Sequence, residues 1–136
     1  MSFFVDRERL FLPNRIRFIF LALGGIAFFI TELFRLRLRP LIRSLEIEDF
    51  GFTDTIGNSG GIIVQIFIGL ALINPTPRQS YRLAVFFSVG YILYEFAQPC
   101  LPKGTFDWYD VLATCVGYCI SLLLLKFAWK YHEEAA

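Results

Sequence analysis

Four long apolar segments, each bounded by polar or helix-breaking residues, constrain the fold of this chain more than any other feature. The predicted helices cover about residues 16–34, 54–73, 80–98 and 107–130. A helix needs about 17–25 residues to cross a bilayer, and each segment reaches that length when its polar ends are included. We therefore expect an all-α polytopic membrane protein, with residues 1–136 forming a single transmembrane domain of four helices.

Composition supports a membrane protein. Hydrophobic residues make up 56% of the chain and charged residues 18%, whereas a soluble domain usually has about 45–50% and about 25%. The formal net charge is only +1, which argues against nucleic acid as a partner because such proteins carry a strong basic patch. Membrane lipid is the partner that the composition predicts.

The connection between the first and second helices differs from the other loops. Residues 35–53 alternate Arg and Leu and then become acidic, a pattern that predicts an amphipathic element lying in the membrane interface. Four spans place both termini on one side of the membrane. That side carries the larger number of Lys and Arg residues, so the positive-inside rule predicts cytoplasmic termini.

An internal repeat relates the second and fourth helices at a constant offset of 56. The matched pairs are Asp54 with Asp110, Gly57 with Ala113, Asn58 with Thr114, Gly61 with Gly117 and Gln65 with Ser121. Their spacing puts the polar positions on one helical face. The small residues of the pairs permit close helix packing, and Gln65 is predicted to form an interhelical hydrogen bond.

The helices before them match less well, at an offset of 63. Glu32 then corresponds to Glu95, and Arg35 corresponds to Gln98. The chain is therefore predicted to contain two pseudo-repeated helical hairpins related by an axis along the membrane normal. This arrangement gathers a set of polar residues at one membrane face, and we take them as candidate ligand-binding residues. They are Glu32, Arg35, Asp54, Asn58, Glu95, Gln98, Lys103, Asp107 and Asp110.

Simpler roles remain open for several of these residues. Asp107 and Asp110 stand three apart at a helix start, where a carboxylate caps free N–H groups and favours the helix dipole. Asp54 stands in an equivalent place. Glu32 ends its helix, where the dipole disfavours an anion, but a salt bridge to Arg35 or a later arginine would explain it.

Residues 94–117 contain an ordered set of polar residues and a glycine, namely Glu95, Gln98, Lys103, Asp107, Asp110 and Gly117. The first two end one span, the lysine lies in a short loop, and the others open the next helix. This order resembles the VanZ-like family of small bacterial membrane proteins, in which an Arg usually replaces the lysine and an Asn stands at the place of Thr114. The resemblance implies a protein of the bacterial cell envelope, expected in the inner membrane, and the family's namesake is associated with low-level glycopeptide resistance. It does not supply a reaction.

Three functions are compatible with these features. The first is a VanZ-like envelope protein that binds a lipid-linked or headgroup-type ligand at the polar face. Its acidic and amide groups suit hydroxyls, amines or a hydrated cation, and Arg35 or Lys103 suits a phosphate. The second is a non-catalytic accessory subunit of a larger membrane protein complex. The third is a small cation- or proton-coupled transporter, which would need a deeper carboxylate than Glu32 or Glu95 provides.

The sequence shows no motif that is typical of an enzyme or of a metal site. Paired carboxylates can serve as acid and base, so an enzyme remains open, but no nucleophile motif or glycine-rich phosphate loop is present and a non-enzyme is favoured. Cys115 and Cys119 lie on one apolar helical face, Cys100 lies in a loop, and His132 is the only histidine. We predict no metal site and no cofactor.

Overall fold

The computed structural model describes residues 14–48, 51–102 and 104–134, with the side chains at positions 52 and 54 excepted. Over these residues the chain is helical and contains no strand. The helices are α1 (Arg15–Leu33), α2 (Arg39–Ser44), α3 (Phe52–Ile73), α4 (Pro77–Ala97) and α5 (Trp108–Glu134). Four helical stretches are long and apolar enough to cross a membrane, so the predicted number of spans is confirmed for the part of the chain that the structure describes.

The first helical stretch extends beyond the α-helix that the sequence predicts. It continues as one helical stretch from Arg15 to Ser44, because a π-helical turn over Phe34–Leu38 joins α1 to α2. Pro40 has no N–H to give to the preceding turn, and its ring crowds the carbonyl four residues earlier. A π-bulge absorbs such a defect without breaking the helix. The first α-helix thus ends at Leu33, close to the predicted end near residue 34, and the helical stretch continues beyond it to Ser44.

Capping residues define the start of α1, the end of α3 and the start of α4. Asn14 caps α1 through its side chain, as expected for a polar residue before an apolar run. Thr76 and Gln79 form a reciprocal capping box, and Pro77 occupies the first position of α4. Asn74 ends α3 in the left-handed conformation with φ of 53°, which Asn tolerates better than most residues.

Helix α3 lies at the centre of the bundle and packs against α1, α4 and α5. A Cβ on Gly24 would lie 2.8 Å from Ile68 Cδ1, and one on Gly60 would overlap the Thr31 side chain. Position 24 therefore meets the C-terminal part of α3 and position 31 meets its N-terminal part. This order makes α1 and α3 antiparallel.

The second pair of helices continues this arrangement. The Tyr91 hydroxyl lies 2.7 Å from the place of a Cβ on Gly61, and the Phe87 ring lies 2.7 Å from that of Gly69. Positions 91 and 87 thus follow α3 in reverse order, which makes α3 and α4 antiparallel. The backbone of α5 comes close to α3 at Gly117. The C-terminal end of α1, the start of α3, the end of α4 and the start of α5 consequently share one end of the bundle.

Aromatic packing and a hydrogen bond hold the opposite end together. The Phe20 ring centroid lies 5.9 Å from that of Phe67 and 5.8 Å from that of Trp129, so α1 joins α3 and α5. Asn14 donates a hydrogen bond of 3.0 Å to Asn74 across the ends of α1 and α3. Because lipid tails are as apolar as these side chains, van der Waals packing and hydrogen bonds stabilise the bundle more than apolar burial does.

Candidate functional site

Glu95 is the most deeply buried charged residue described at the shared end of the bundle. It lies in the last turn of α4 and is 1% exposed. Gln98 follows in a 3₁₀ turn (Gln98–Cys100), and its Nε2 donates a hydrogen bond to Glu95 Oε2. The spacing of three residues brings the two side chains to one face. No salt bridge joins Glu95 to another described residue. The predicted pairing of positions 95 and 98 on one face is confirmed.

Two further polar groups approach Glu95 from within the bundle. The carboxylate of Asp110, in the first turn of α5, is close enough to repel that of Glu95 electrostatically. The phenol of Tyr91 also interacts electrostatically with both carboxylates. We call Tyr91, Glu95, Gln98 and Asp110 the Glu95 cluster. It offers carboxylate, amide and phenol oxygens to a ligand that carries N–H or O–H donors.

Tyr91 was not among the residues predicted from the sequence. It stands four residues before Glu95, which places both on one face of α4. Its hydroxyl lies against Gly61 of α3, where the absence of a side chain leaves room for it. The sequence did contain a signal for Tyr91. This tyrosine lies one turn before the glutamate that ends the span, and Gly61, a glycine of the repeat, lies opposite it.

Asp107 and Asp110 have different surroundings although they stand only three residues apart. Asp107 is exposed, and its Oδ1 accepts a hydrogen bond of 2.9 Å from the Tyr109 backbone N–H. This is the capping role that the sequence left open. Asp110 is half-buried, and its backbone carbonyl accepts a hydrogen bond of 2.9 Å from the Thr114 hydroxyl. Only Asp110 belongs to the Glu95 cluster.

The polar residues of the first hairpin form a separate and more exposed set. Arg35 Nη2 lies 2.8 Å from Glu32 Oε2 in a salt bridge within the first span, which is the second simple role left open by the sequence. The pair lies at one end of a groove of about 310 Å³ between the first span and α3. This α1–α3 groove is lined by Phe28, Thr31, Glu32, Arg35, Gly57, Gly61, Val64 and Gln65.

Two predicted packing residues do not pack in the expected way. The Gln65 side chain is exposed in the α1–α3 groove, and the predicted interhelical hydrogen bond is not formed with any described residue of the chain. A Cβ on Gly57 would meet no atom within 4 Å, so this glycine opens the groove and does not bring two helices together. Helical spacing alone does not tell which faces of α3 have neighbours.

The other predicted packing residues are Gly117, Ala113 and Gly61. A Cβ on Gly117 would overlap the Ser59 carbonyl oxygen of α3, which identifies a close helix contact. Ala113 is buried one turn earlier on α5. Gly61 lines the groove and also faces Tyr91. It therefore joins the groove to the Glu95 cluster through α3.

The remaining predicted ligand-binding positions are Asn58, Lys103 and Asp54. Asn58 is half-buried in α3 and makes no hydrogen bond with a residue in the described ranges. Lys103 and the side chain of Asp54 lie outside the described residues. Among the residues described, no group of three His, Cys, Asp or Glu residues could hold a metal ion.

Comparison with known proteins gives no further information about this site. Comparison of the chain with protein-family models, with curated proteins and with solved structures finds no match. The functional argument therefore depends on the Glu95 cluster, the α1–α3 groove and the residue pattern of the sequence.

Proposed function

We propose that this chain is a VanZ-like integral membrane protein of the bacterial cell envelope that binds a lipid headgroup at the Glu95 cluster. The observation that carries the proposal is the burial of Glu95 in the bundle, with a second carboxylate, Asp110, close to it. The order of residues 94–117 supports the family assignment. No reaction is proposed.

The chemistry of the cluster favours a ligand with a cationic amine. A buried carboxylate is costly unless an opposite charge or strong hydrogen bonds compensate it, and a neighbouring carboxylate adds repulsion. The Gln98 amide supplies one hydrogen bond to Glu95. A primary ammonium group carries three N–H donors and a positive charge. The amine of a phosphoethanolamine headgroup therefore has the charge and the donors that the buried carboxylate of Glu95 favours.

The position of the cluster fits a ligand presented by the membrane. Glu95 stands at the end of α4 and Asp110 at the start of α5, so the cluster lies near the end of the spans. Headgroups occupy the outer layers of the bilayer, beyond a hydrocarbon core of about 30 Å. A headgroup can reach this depth, whereas the middle of the spans would exclude it.

Two structural parts of the proposal concern the repeat and the segment after α1. The parallel course of α3 and α5, with Gly117 at their close contact, supports two hairpins of one plan. The 30-residue first span is about 45 Å long at 1.5 Å per residue. It exceeds the hydrocarbon thickness, which supports an interfacial place for α2 with its arginines.

The test compares lipid retention by the full chain and by charge-removing variants. Protein is purified into nanodiscs of phosphatidylcholine that contain a minor fraction of phosphatidylethanolamine, and retained lipid is measured by native mass spectrometry. We expect Glu95→Gln to weaken phosphatidylethanolamine retention about tenfold to hundredfold, because a hydrogen bond to a charged group contributes about 1.5–3 kcal/mol. Glu134→Gln is the matched control, since Glu134 is exposed in a salt bridge at the far end of α5.

Several results would contradict the proposal. Equal retention of phosphatidylglycerol, which has no amine, would remove the argument from the carboxylates. Unchanged retention in Glu95→Gln would place the lipid elsewhere. Isolation of the wild-type chain without lipid but at fixed stoichiometry with other membrane proteins would favour the accessory-subunit function. Flux driven by a proton gradient and lost in Glu95→Gln would favour the transporter.

A further inference from the structure

Gln65 places an amide near the middle of the membrane, facing away from the bundle. It lies within one turn of the midpoint of the span Thr55–Ile73. Its side chain is exposed in the α1–α3 groove, and none of the described residues hydrogen-bonds it. A polar group in hydrocarbon without a hydrogen bond costs several kcal/mol. The structure of one chain therefore leaves this cost uncompensated.

The depth of Gln65 restricts what can compensate it. Phospholipids present only acyl chains at the bilayer middle, so a lipid in the groove leaves the amide without a partner. A polar side chain of another transmembrane helix at the same depth provides one. A second copy of this chain, inserted in the same orientation, necessarily carries Gln65 at that depth. An amide both donates and accepts hydrogen bonds, so two such groups satisfy each other across a twofold axis.

The charged residues and the open space of the groove also suit contact with the same groove of a second copy. Arg35 and Glu32 lie one turn apart at its end, and the Arg35 side chain is 59% exposed. A twofold interface brings the cation of each copy near the anion of the other, since such an interface uses the same patch on both subunits. The open space beside Gly57 lets a neighbouring helix approach closely.

We infer that the α1–α3 groove is a homodimer interface, in which a second copy of this chain covers Gln65 and the Glu32–Arg35 pair. The inference is independent of the headgroup proposal, because no member of the Glu95 cluster lines the groove. The two copies face each other through the first span and α3. The Glu95 cluster of each copy remains outside the interface.

Association is measured by energy transfer between donor- and acceptor-labelled full chains in phosphatidylcholine vesicles, as the protein-to-lipid ratio is varied. We expect wild type to dimerise and Gln65→Leu to dissociate about threefold to thirtyfold more readily, the range for loss of an interhelical hydrogen bond. Gly57→Leu should also weaken the dimer. Its Cβ meets no atom within the chain, so the monomer can fold while the side chain fills the groove.

The matched control is Phe86→Leu, at a 72% exposed position of α4 that does not line the groove, and it should dimerise like wild type. A wild-type chain that stays monomeric at every ratio would overturn the inference. Wild-type association of both Gln65→Leu and Gly57→Leu would overturn it as well, because the interface would then lie elsewhere. Equal weakening by Phe86→Leu would show that the energy transfer reports unspecific crowding.

Discussion

Gly117 is the position at which one added methyl group should disturb the helix bundle most clearly. A Cβ there would overlap the Ser59 carbonyl oxygen and lie 2.5 Å from Ile62 Cγ2, whereas ordinary contact begins at 3.4 Å. The first obstacle is helix backbone, so a change of rotamer cannot remove it. We therefore expect Gly117→Ala to push α3 and α5 apart by about 1 Å, a gap that forfeits a quarter to a half of each dispersion contact.

Gly90→Ala provides the matched control, because a Cβ at that position meets no atom within 4 Å. Both variants gain the same helix propensity, about 1 kcal/mol for Gly to Ala. The difference between them isolates the packing cost. Overpacking of a well-packed contact costs about 1–3 kcal/mol, so Gly117→Ala should unfold with a free energy lower than that of Gly90→Ala by this amount.

The measurement is reversible unfolding in mixed micelles with increasing SDS, followed by helical circular dichroism and by tryptophan fluorescence. Trp129 packs at 5.8 Å from Phe20 and reports separation of α5 from α1. If Gly117→Ala and Gly90→Ala unfold at the same SDS fraction, the close approach of α3 and α5 is not part of the native bundle. The parallel arrangement inferred for these helices would then fail with it.

Substitutions at two further positions test local contacts. Asp107→Ala should lower the free energy of unfolding by about 0.5–2 kcal/mol through loss of the cap on Tyr109, with phosphatidylethanolamine retention unchanged; a loss of retention would move Asp107 into the headgroup site. Asn74→Ala should be less stable than Asn74→Gly by about 1 kcal/mol in SDS unfolding, because both lose the hydrogen bond to Asn14 but only Ala strains the left-handed conformation. Equal stability of the two Asn74 variants would show that this conformation is not needed to end α3.

The number of spans and the direction of each helix were predictable because they depend on local features. Apolar runs of sufficient length and the breakers around Asn74 fix where α3 ends. The even number of antiparallel spans then brings Glu32, Glu95 and Asp110 to one end of the bundle, and contacts such as that of Tyr91 with Gly61 agree with this order.

The extent of the first span was not predictable from the same rules. Pro40 normally marks a helix limit, but a π-helical turn before it allows the helix to continue to Ser44. Whether such a turn forms depends on the whole helical environment and not on the proline alone. The Arg–Leu alternation after Phe34 is compatible with a loop, an interfacial helix or a continued span.

The orientation of single polar residues was also beyond the sequence. Gly61 and Gln65 lie one turn apart on α3, and the sequence predicts that both contact a neighbouring helix, Gly61 by close packing and Gln65 by a hydrogen bond. The structure places Gly61 against Tyr91 but leaves Gln65 in an open groove. A residue's helical face follows from the sequence, whereas the neighbour that covers this face is a property of the tertiary structure.

Burial distinguishes two acidic helix ends that the sequence repeat treats as equivalent. Glu32 is partly exposed and has its own cation in Arg35 at 2.8 Å, so its charge is compensated within the chain. Glu95 is 1% exposed, and no cation of a described residue pairs with it. An uncompensated carboxylate in a low-dielectric site strongly favours a cationic partner. This difference is the reason that the proposed headgroup site lies in the second hairpin and the proposed dimer interface involves the first.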